Sequence, residues 1–331
     1  MGLSVSDKRY SLAIVLLNYK TPSMVVDCLQ SLEGQLQEDE RVVVVDNASG
    51  DDSVPVISKA IADHGWGDWA ELVESSGNHG FSAGNNVGIL AIDADAYFLL
   101  NSDTLVRDGA IAALRDAMAK HPEVALFSPR LEWPDTASQR SVFRDPTPIS
   151  ELERAAGTGP ISKLLARRIV APAIVDHPIA FEWASFAAIL IRREVFAKIG
   201  LMDEGYFLYF EDIDFCRRAR LAGFQSLHWP DAHIVHLRGG SGPVKESLAK
   251  RKRPPQYFYA SRNRYFAKFY GRGGLFCANL WWCCGRMISG LRELVRHKKP
   301  HLCEKEGRDI WHNLKRPVSP PESWRGEFPS S

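Results

Sequence analysis

The sequence predicts an α/β fold: a mostly parallel sheet with helices on both faces, plus a C-terminal helical extension. Three features predict it. Apolar runs alternate with stretches of helical period, the pattern of a layered α/β domain. The runs are continuous rather than alternating, as in RVVVVD at 41–46, which suits strands covered on both faces. Polar residues gather where the runs end, at Asn18-Tyr19, Asp46-Asn47 and Asn101-Ser102-Asp103. In such sheets ligands collect outside the carboxyl ends of strands, so these three ends are expected to converge on one crevice.

Each element follows in order. SLAIVLLNY at 11–19 reads as a buried first strand, and Pro22 opens a helix with Val25, Val26, Leu29 and Leu32 inward. RVVVVDNASGDDS repeats the scheme. LVESSGNHG gives a shorter strand, FSAGNNVGILAI a helix, AYFLLNSD another buried strand, and GAIAALRDAMAKHP a helix closed before Pro122. Residues 133–180, rich in Pro, Arg and Ala, read as an irregular insertion that could shape an acceptor site. AAILIRREVFAKIG returns to strand and helix, and FLYFEDIDFCRRARLAGF is a helix that Gly223 terminates.

With 331 residues, 45% hydrophobic and 24% charged, and a mean hydropathy of -0.20, the chain is long enough for one large domain and an appendage. The expected division is 1–242 for the main domain and 243–331 for the extension. Net charge is +1, but residues 245–331 carry 19 Lys and Arg against 7 Asp and Glu, whereas residues 1–240 carry 22 against 33. A basic tail on an acidic domain implies different partners for the two. Trp281-Trp282, Phe276, Leu280, Met287 and Ile288, flanked by Arg286, Arg292, Arg296, Lys298 and Lys299, suit either a helix lying in an anionic membrane interface or a helical hairpin packed on the main domain. The acidic main domain and the absence of a nucleic-acid motif argue against nucleic acid as a partner. No stretch has the ~20 uninterrupted apolar residues of a membrane span. Six cysteines without CxxC spacing fit reduced thiols in a cytoplasmic protein, peripheral on the inner face of the membrane if the tail binds lipid. Gly2 and Ser6 match a short myristoylation pattern that chance supplies often.

Four stretches carry chemistry. Asp103, after a buried strand, is a turn residue or a ligand for a divalent cation bridging diphosphate oxygens, which needs only one or two protein carboxylates. His233 and His236 in DAHIVHLRGGS are polar residues near a sheet edge or, beside a carboxylate, ligands for a cation such as Mn²⁺. NHGFSAGNNVG sets Gly80, Gly84 and Gly88 at spacing four, with Asn78, Asn85 and Asn86 interleaved; it reads as a polar loop and helix start able to bond a sugar or phosphate. YFEDIDFCRRAR packs Glu211, Asp212 and Asp214 into four positions at a helix start. Acids there are favoured by ~0.3–1 kcal/mol each. Asp214 can pair with Arg218 and one of the others can cap. One acid is then spare, and the apolar GYFLYF approach could raise its pKa toward that of a usable base.

Together these stretches resemble the inverting glycosyltransferases of family 2, with the GT-A fold, and their rhamnosyltransferase-like branch in particular. The resemblance runs in order over roughly residues 11–241, through LNYKTPSMVVDCLQSL, VVVVDNASGDDS, NHGFSAGNNVGI, FLLNSDT, the EWASFAAILIRREVFAKIGLMDEGYFLYFEDIDFCRRARLAGF block and HIVHLRGGS. It implies that Asp46 contacts the nucleotide base with Asn18 and Tyr19 nearby, and that Asn78, Gly84, Asn85 and Ser102 line the nucleotide-sugar site. Asp103 would hold the cofactor, Mn²⁺ or Mg²⁺, on the donor diphosphate, with His236 completing the site. Asn101 stands where the family's metal motif has its first acid, so metal affinity should be weaker. Asp212 would be the base, with Glu211 the runner-up, and Trp183 would lie on the acceptor side. Phe186 replaces the small residue usual after Trp-x-Ser and is expected to narrow the sugar or acceptor pocket. The implied partners are a dTDP- or UDP-linked sugar donor and a lipid-linked or polysaccharide acceptor. Two rivals remain: a nucleotidyltransferase that makes a nucleotide sugar, which would carry a basic Gly-rich loop after its first strand where this chain has LNYKTPS, and a non-catalytic sugar-binding scaffold.

Overall fold

The computed structural model describes residues 8–238, 243–296 and 301–319, so Gly2, Ser6, Lys298 and Lys299 lie outside the described residues. In chain order the elements are β1 (Tyr10–Asn18), α1 (Pro22–Leu32), β2 (Glu40–Asp46), α2 (Ser53–Asp63), β3 (Ala70–Glu74), α3 (Phe81–Ala91), β4 (Ala94–Asn101), β5 (Thr104–Val106), α4 (Ala110–Lys120) and β6 (Val124–Glu132). They continue with β7 (Val142–Phe143), α5 (Ser150–Ala156), α6 (Gly159–Leu164), β8 (Trp183–Ala184), β9 (Ala188–Arg192), α7 (Arg193–Ile199), α8 (Glu211–Leu221), β10 (Gln225–His236), α9 (Pro243–Ala249), α10 (Gln256–Arg296) and α11 (Glu306–Asp309).

Eight strands form one sheet in the order β3-β2-β1-β4-β9-β6-β10-β5. The β1 run is apolar throughout because both of its faces are covered. Leu12, Ile14 and Leu16 enter one core with Val25 and Leu29 of α1 and Leu114 of α4. Ala13, Val15 and Leu17 enter the other, with Ile89 of α3, Phe196 of α7 and Phe215 of α8. The first strand is shifted by one residue from expectation: it ends at Asn18, which leaves Tyr19 in the turn before α1.

Glycine spacing in α3 serves this packing. A Cβ on Gly84 would lie 2.5 Å from Leu17 Cδ1, and one on Gly88 would lie 2.4 Å from Val15 Cγ1 and 2.9 Å from Val45 Cγ2. β-Branched neighbours on two strands cannot swing aside. Gly88→Ala should therefore destabilise the fold by roughly 1–3 kcal/mol through overpacking, outweighing the ~1 kcal/mol that Ala gains in helix propensity, and a lowered denaturant midpoint would register it.

Parallel pairing holds β3, β2, β1 and β4 together, and β6 with β10. β9 is antiparallel to both of its neighbours, β4 and β6. A parallel neighbour would need a crossover back across the sheet. Residues 133–187 make no such crossing: the chain leaves β6 at the edge where β4 also ends and re-enters β9 from that edge. The insertion therefore sits over the crevice side. It is more ordered than its composition suggests, with β7, α5 and α6 inside it. β10 pairs parallel to β6 with a register break between Trp229 and His233, which takes up Pro230. That proline obscures a strand in the sequence.

The extension packs on the rest of the chain. α10 bends at Gly271 (φ 69°, ψ 177°). Before the bend, Tyr265 and Phe266 pack with Tyr206 and Ile213. After it, Gly285 rides over α5, where a Cβ would come within 2.6 Å of the Leu152 carbonyl. Arg262 donates to Glu151 at 2.9 Å, and Arg154 bridges Glu151 (2.8 Å) and Glu306 (2.6 Å). Burial would raise the Glu151 carboxyl, but Arg154 and Arg262 hold it down at about 2. The packed hairpin expected as one reading of the tail is thus what the inner face of α10 forms.

Candidate active site

The ends of β1, β2 and β4 are knitted by side chains. Asn18, fully buried, donates from Nδ2 to Asp46 Oδ1 (2.7 Å) and Ser49 Oγ (3.3 Å). Ser49 donates to Asp46 through its hydroxyl (2.6 Å) and its backbone N–H (3.0 Å). The Thr21 hydroxyl donates to Asn18 Oδ1 (3.1 Å), and the Thr21 and Ser102 hydroxyls share a hydrogen bond of 2.8 Å. Asn18 and Ser102 therefore tie the strand ends together, with Asp46 fixed at the end of β2. Tyr19 sits in the following turn, half-buried, with the Lys20 ammonium 5.5 Å from its ring centroid.

The Asn-Gly stretch divides. Asn78 Oδ1 accepts from the Gly80 N–H and from Asn47 Nδ2, each at 3.1 Å, and closes the loop before α3. Gly80 has φ +97° and lies so close to the Phe207 backbone that a Cβ would fall 2.2 Å from its carbonyl oxygen. Gly84 and Asn85, expected at the nucleotide sugar, are instead buried in the fold: Gly84 lets α3 approach β1, and Asn85 Nδ2 donates to the Phe81 carbonyl one turn back at 3.0 Å. Asn86 exchanges hydrogen bonds with the Met202 backbone (2.9 and 3.0 Å) and so ties the loop before α8 to α3.

Register brings Asp103 and His236 together. The antiparallel pairing of β10 with β5 sets His236 opposite Thr104, and the Leu237 N–H donates to the Asp103 carbonyl at 2.9 Å. His236 Nε2 then stands 3.5 Å from Asp103 Oδ1, both side chains largely buried. One hard oxygen and one imidazole nitrogen at this separation suit a divalent cation that takes its remaining ligands from a diphosphate, and the nitrogen favours Mn²⁺. Among the described residues no group of three or more His, Cys, Asp or Glu could hold a metal, so a cation here needs a substrate's oxygens. Gln139, inside the insertion, donates to the carbonyls of His236 (2.7 Å) and Glu132 (3.0 Å) and accepts from Arg238 Nε (2.5 Å). Its burial in an otherwise unpatterned stretch gave no signal in the sequence. His233 takes the bland role, with Nδ1 2.9 Å from Glu132 Oε2.

The three acids at the start of α8 separate cleanly. Asp214 is fully buried and fully used: Arg218 Nε donates at 2.6 Å, Lys268 of α10 lies at 2.6 Å, and the Tyr206 hydroxyl donates at 3.2 Å. No carboxylate caps the helix. The N-cap is Phe210 at φ 71°, without a side-chain cap bond, so the capping role expected of Glu211 or Asp212 goes unfilled. Glu211 is buried, with Oε2 lacking a hydrogen-bond partner among the described residues, and burial together with the charges of Asp212 and Asp214 pushes it well above the usual carboxylate range. Asp212 is only partly exposed. Its apolar surroundings push it up to about 7, against the pull of the Ile213 and Phe186 backbone N–H groups. Tyr209 links this acid pair to the metal candidates: burial, Tyr257 and the charges of Glu211, Asp212 and Asp103 all push its hydroxyl up.

One neighbour departs from expectation, and another is fixed by the insertion. The Phe186 ring does not narrow a pocket: it is 2% exposed and packs edge-on against Phe215 at 5.8 Å, inside the core below α8. Trp183 stacks on Phe143 (4.1 Å, 11°) and donates from Nε1 to the Arg144 carbonyl at 2.8 Å, so it also anchors the insertion. Left-handed backbone at Lys20, Ala48, Tyr209, Phe210 and Arg238 falls at the strand ends and at the approach to α8. Non-glycine residues pay ~1–3 kcal/mol each for this conformation, and such strain clusters at functional sites.

The family model for glycosyl transferase family 2 matches residues 11–162, the stretch that runs from β1 through the metal candidate Asp103 into the insertion. That stretch, just under half of the chain, is similar to glycosyltransferase family 2. The chain is 28% identical over 213 residues to the low-salt glycan biosynthesis hexosyltransferase Agl10 of Haloferax volcanii, across 63% of this chain and 61% of that relative, so the match spans about three fifths of the relative's length. It is 25% identical over 271 residues to the N-acetylglucosaminyl-diphospho-decaprenol L-rhamnosyltransferase of Mycobacterium tuberculosis, across 76% of this chain and 85% of the other. The rhamnosyltransferase WbbL of Escherichia coli is 24% identical over 233 residues, across 67% and 82%. Two of these three relatives are rhamnosyltransferases, and the chain is rhamnosyltransferase-like in that similarity. The GT-A fold is shared with solved structures. GalNAc-T7 with UDP, GalNAc and Mn²⁺ aligns at a TM-score of 0.56 and 13% identity, over 94% of this chain and 57% of that one. The mannosyltransferase PcManGT of Pyrobaculum calidifontis with GDP-Man and Mn²⁺ aligns at 0.52 and 14%, over 96% and 89%.

Proposed function

We propose that the protein is an inverting, metal-dependent glycosyltransferase that moves a hexose, rhamnose being favoured, from a dTDP- or UDP-linked donor to a lipid-linked or polysaccharide acceptor in cell-envelope glycan synthesis. The observation that carries the reading is the pairing of Asp103 with His236 at 3.5 Å, and Tyr209, whose hydroxyl feels the charges of both Asp103 and Asp212, supports a shared site with the acid pair of α8. The mycobacterial relative, named for a polyprenyl-diphosphate acceptor, supports the acceptor class. Six free thiols suit a reducing, cytoplasmic setting.

Asp46, Asn78 and Tyr19 line the strand ends where a nucleotide would lie, and Asn18 and Ser102 keep Asp46 and the Asp103 turn in register. A divalent cation held by Asp103 and His236 would neutralise charge on the departing diphosphate. Asp212 accepts the proton of the acceptor hydroxyl as that oxygen bonds to the anomeric carbon, and the carbon–oxygen bond to the diphosphate breaks on the opposite face. A single displacement inverts the anomeric configuration and leaves a nucleoside diphosphate. Glu211, whose carboxyl burial and the neighbouring acids hold well above the usual carboxylate range, backs Asp212 from within the fold. Trp183 would bound the acceptor side through the insertion that it anchors.

A thermal-shift screen tests the reading. A true donor with Mn²⁺ or Mg²⁺ should raise the melting midpoint, since ligand at 100 times its dissociation constant stabilises by about 2.7 kcal/mol. No shift with any dTDP- or UDP-linked sugar, with either metal, would contradict it.

A further inference from the structure

The limb of α10 beyond Gly271 has two apolar faces, and among the described residues only one of them is covered. The inner face packs on α5 and α11 through Trp282 and Gly285. On the outer face Phe276, Leu280, Met287, Leu291, Leu294 and Val295 are 52–78% exposed. Their spacing, four residues from Phe276 to Leu280, a double step to Met287, four to Leu291, and three and four from there to Leu294 and Val295, places them in one stripe along the helix. The stripe is roughly 30 Å long at ~1.5 Å per residue. No charged residue occurs from Gly273 to Gly285, and Trp281, 40% exposed, borders the stripe. So long an exposed apolar face marks a contact surface.

We infer that this stripe seats the protein on an anionic bilayer, lying in the plane of the lipid interface. Charge selects that occupant. Residues 245–331 carry a surplus of 12 positive charges, which an anionic surface attracts and which would repel itself across a two-fold contact between copies. The cations stand where a headgroup layer would meet them. Arg272 and Arg316, both exposed, line a cleft of about 500 Å³ at the Gly271 bend, beside the first turn of the stripe, whereas Arg292 is half-buried and donates to the Gly157 carbonyl. The segment carrying Lys315 and Arg316 is held there by Arg272 Nη2 donating to the Lys315 carbonyl at 3.1 Å and by Phe276 packing on Trp311. No helix among the described residues is long and apolar enough to cross a membrane, so the stripe would lie on the surface rather than span it. The inference goes beyond the transfer reaction and rests on the helix face and the charge of the tail, so either can fail without the other.

Co-sedimentation of the intact protein with phosphatidylglycerol-rich vesicles tests it, with phosphatidylcholine vesicles as the neutral arm and size-exclusion light scattering in parallel. The expected result is sedimentation with the anionic vesicles only, weakened at least tenfold by Leu291→Glu with Leu294→Glu at an unchanged melting midpoint. The conservative Trp281→Phe variant should lose part of a lipid-induced blue shift in tryptophan emission, which keeps the test open if the double variant folds poorly. Protein that stays in the supernatant, equal sedimentation with both vesicle types, binding that the double variant retains, or a dimer that the double variant converts to monomer would each overturn the inference.

Discussion

Asp212→Asn is expected to lower the transfer rate by about 10²–10⁴-fold, the range that a positioned general base contributes. The residue is the spare acid of its trio: Asp214 is locked by Arg218, Lys268 and Tyr206, and Glu211 is buried too deeply to ionise readily. The sign of the pH dependence follows. A carboxyl raised to about 7 acts as a base only once deprotonated, so wild-type transfer should climb as pH rises through about 7 and level above it. In the asparagine variant the residual rate should lose that inflection. A rate–pH profile with saturating donor separates this from a folding defect, because a merely structural residue would lower the rate without removing the pH step.

The second large effect is expected at Asp103. Asp103→Ala removes the hard oxygen that faces His236 at 3.5 Å and leaves one protein ligand at most. Transfer should fall by about 10²–10³-fold, the scale on which removing one electrostatic stabiliser of a developing charge acts. Unlike the Asp212 change, this one should also abolish the metal-dependent part of donor binding, measurable by titration with and without Mn²⁺.

Much of this arrangement was legible in the residues. The two-sided burial of β1 and β2 shows as unbroken apolar runs, and the polar ends of those runs mark the crevice. Asp103 could be paired with His236 only through the resemblance, since the two are joined by a short antiparallel pairing at the far edge of the sheet that leaves almost no local pattern. β10 was hidden by Pro230 at its register break, and the reversal of β9 depends on where the insertion sits rather than on anything within AILIR. Glycine meaning was misread for a related reason. Spacing of four on a helix serves close packing as well as it serves ligand approach, and the opposing Val15, Val45 and Leu17 decide for packing at Gly84 and Gly88. Phe186 shows the same limit, because the bulk of a side chain is visible in a sequence and its direction is not.

Lys268 and Gln139 are the positioning residues that pattern could not supply. Lys268, on α10, neutralises Asp203 and Asp214 at 2.7 and 2.6 Å and so joins the C-terminal helix to the base of α8. Gln139 fixes the backbone of His236 from within the insertion. Both are single polar side chains in stretches without period, and only the folded chain brings them to their partners.

The most direct measurement sets donor binding and turnover side by side in wild type, Asp103→Ala and Asp212→Asn, with Mn²⁺ present. The arrangement described requires Asp212→Asn to bind the nucleotide sugar as wild type does while transferring almost nothing, and Asp103→Ala to lose the metal-dependent part of donor binding together with most of its transfer. Transfer at the wild-type rate in either variant, or metal-dependent donor binding that survives in Asp103→Ala, would contradict it.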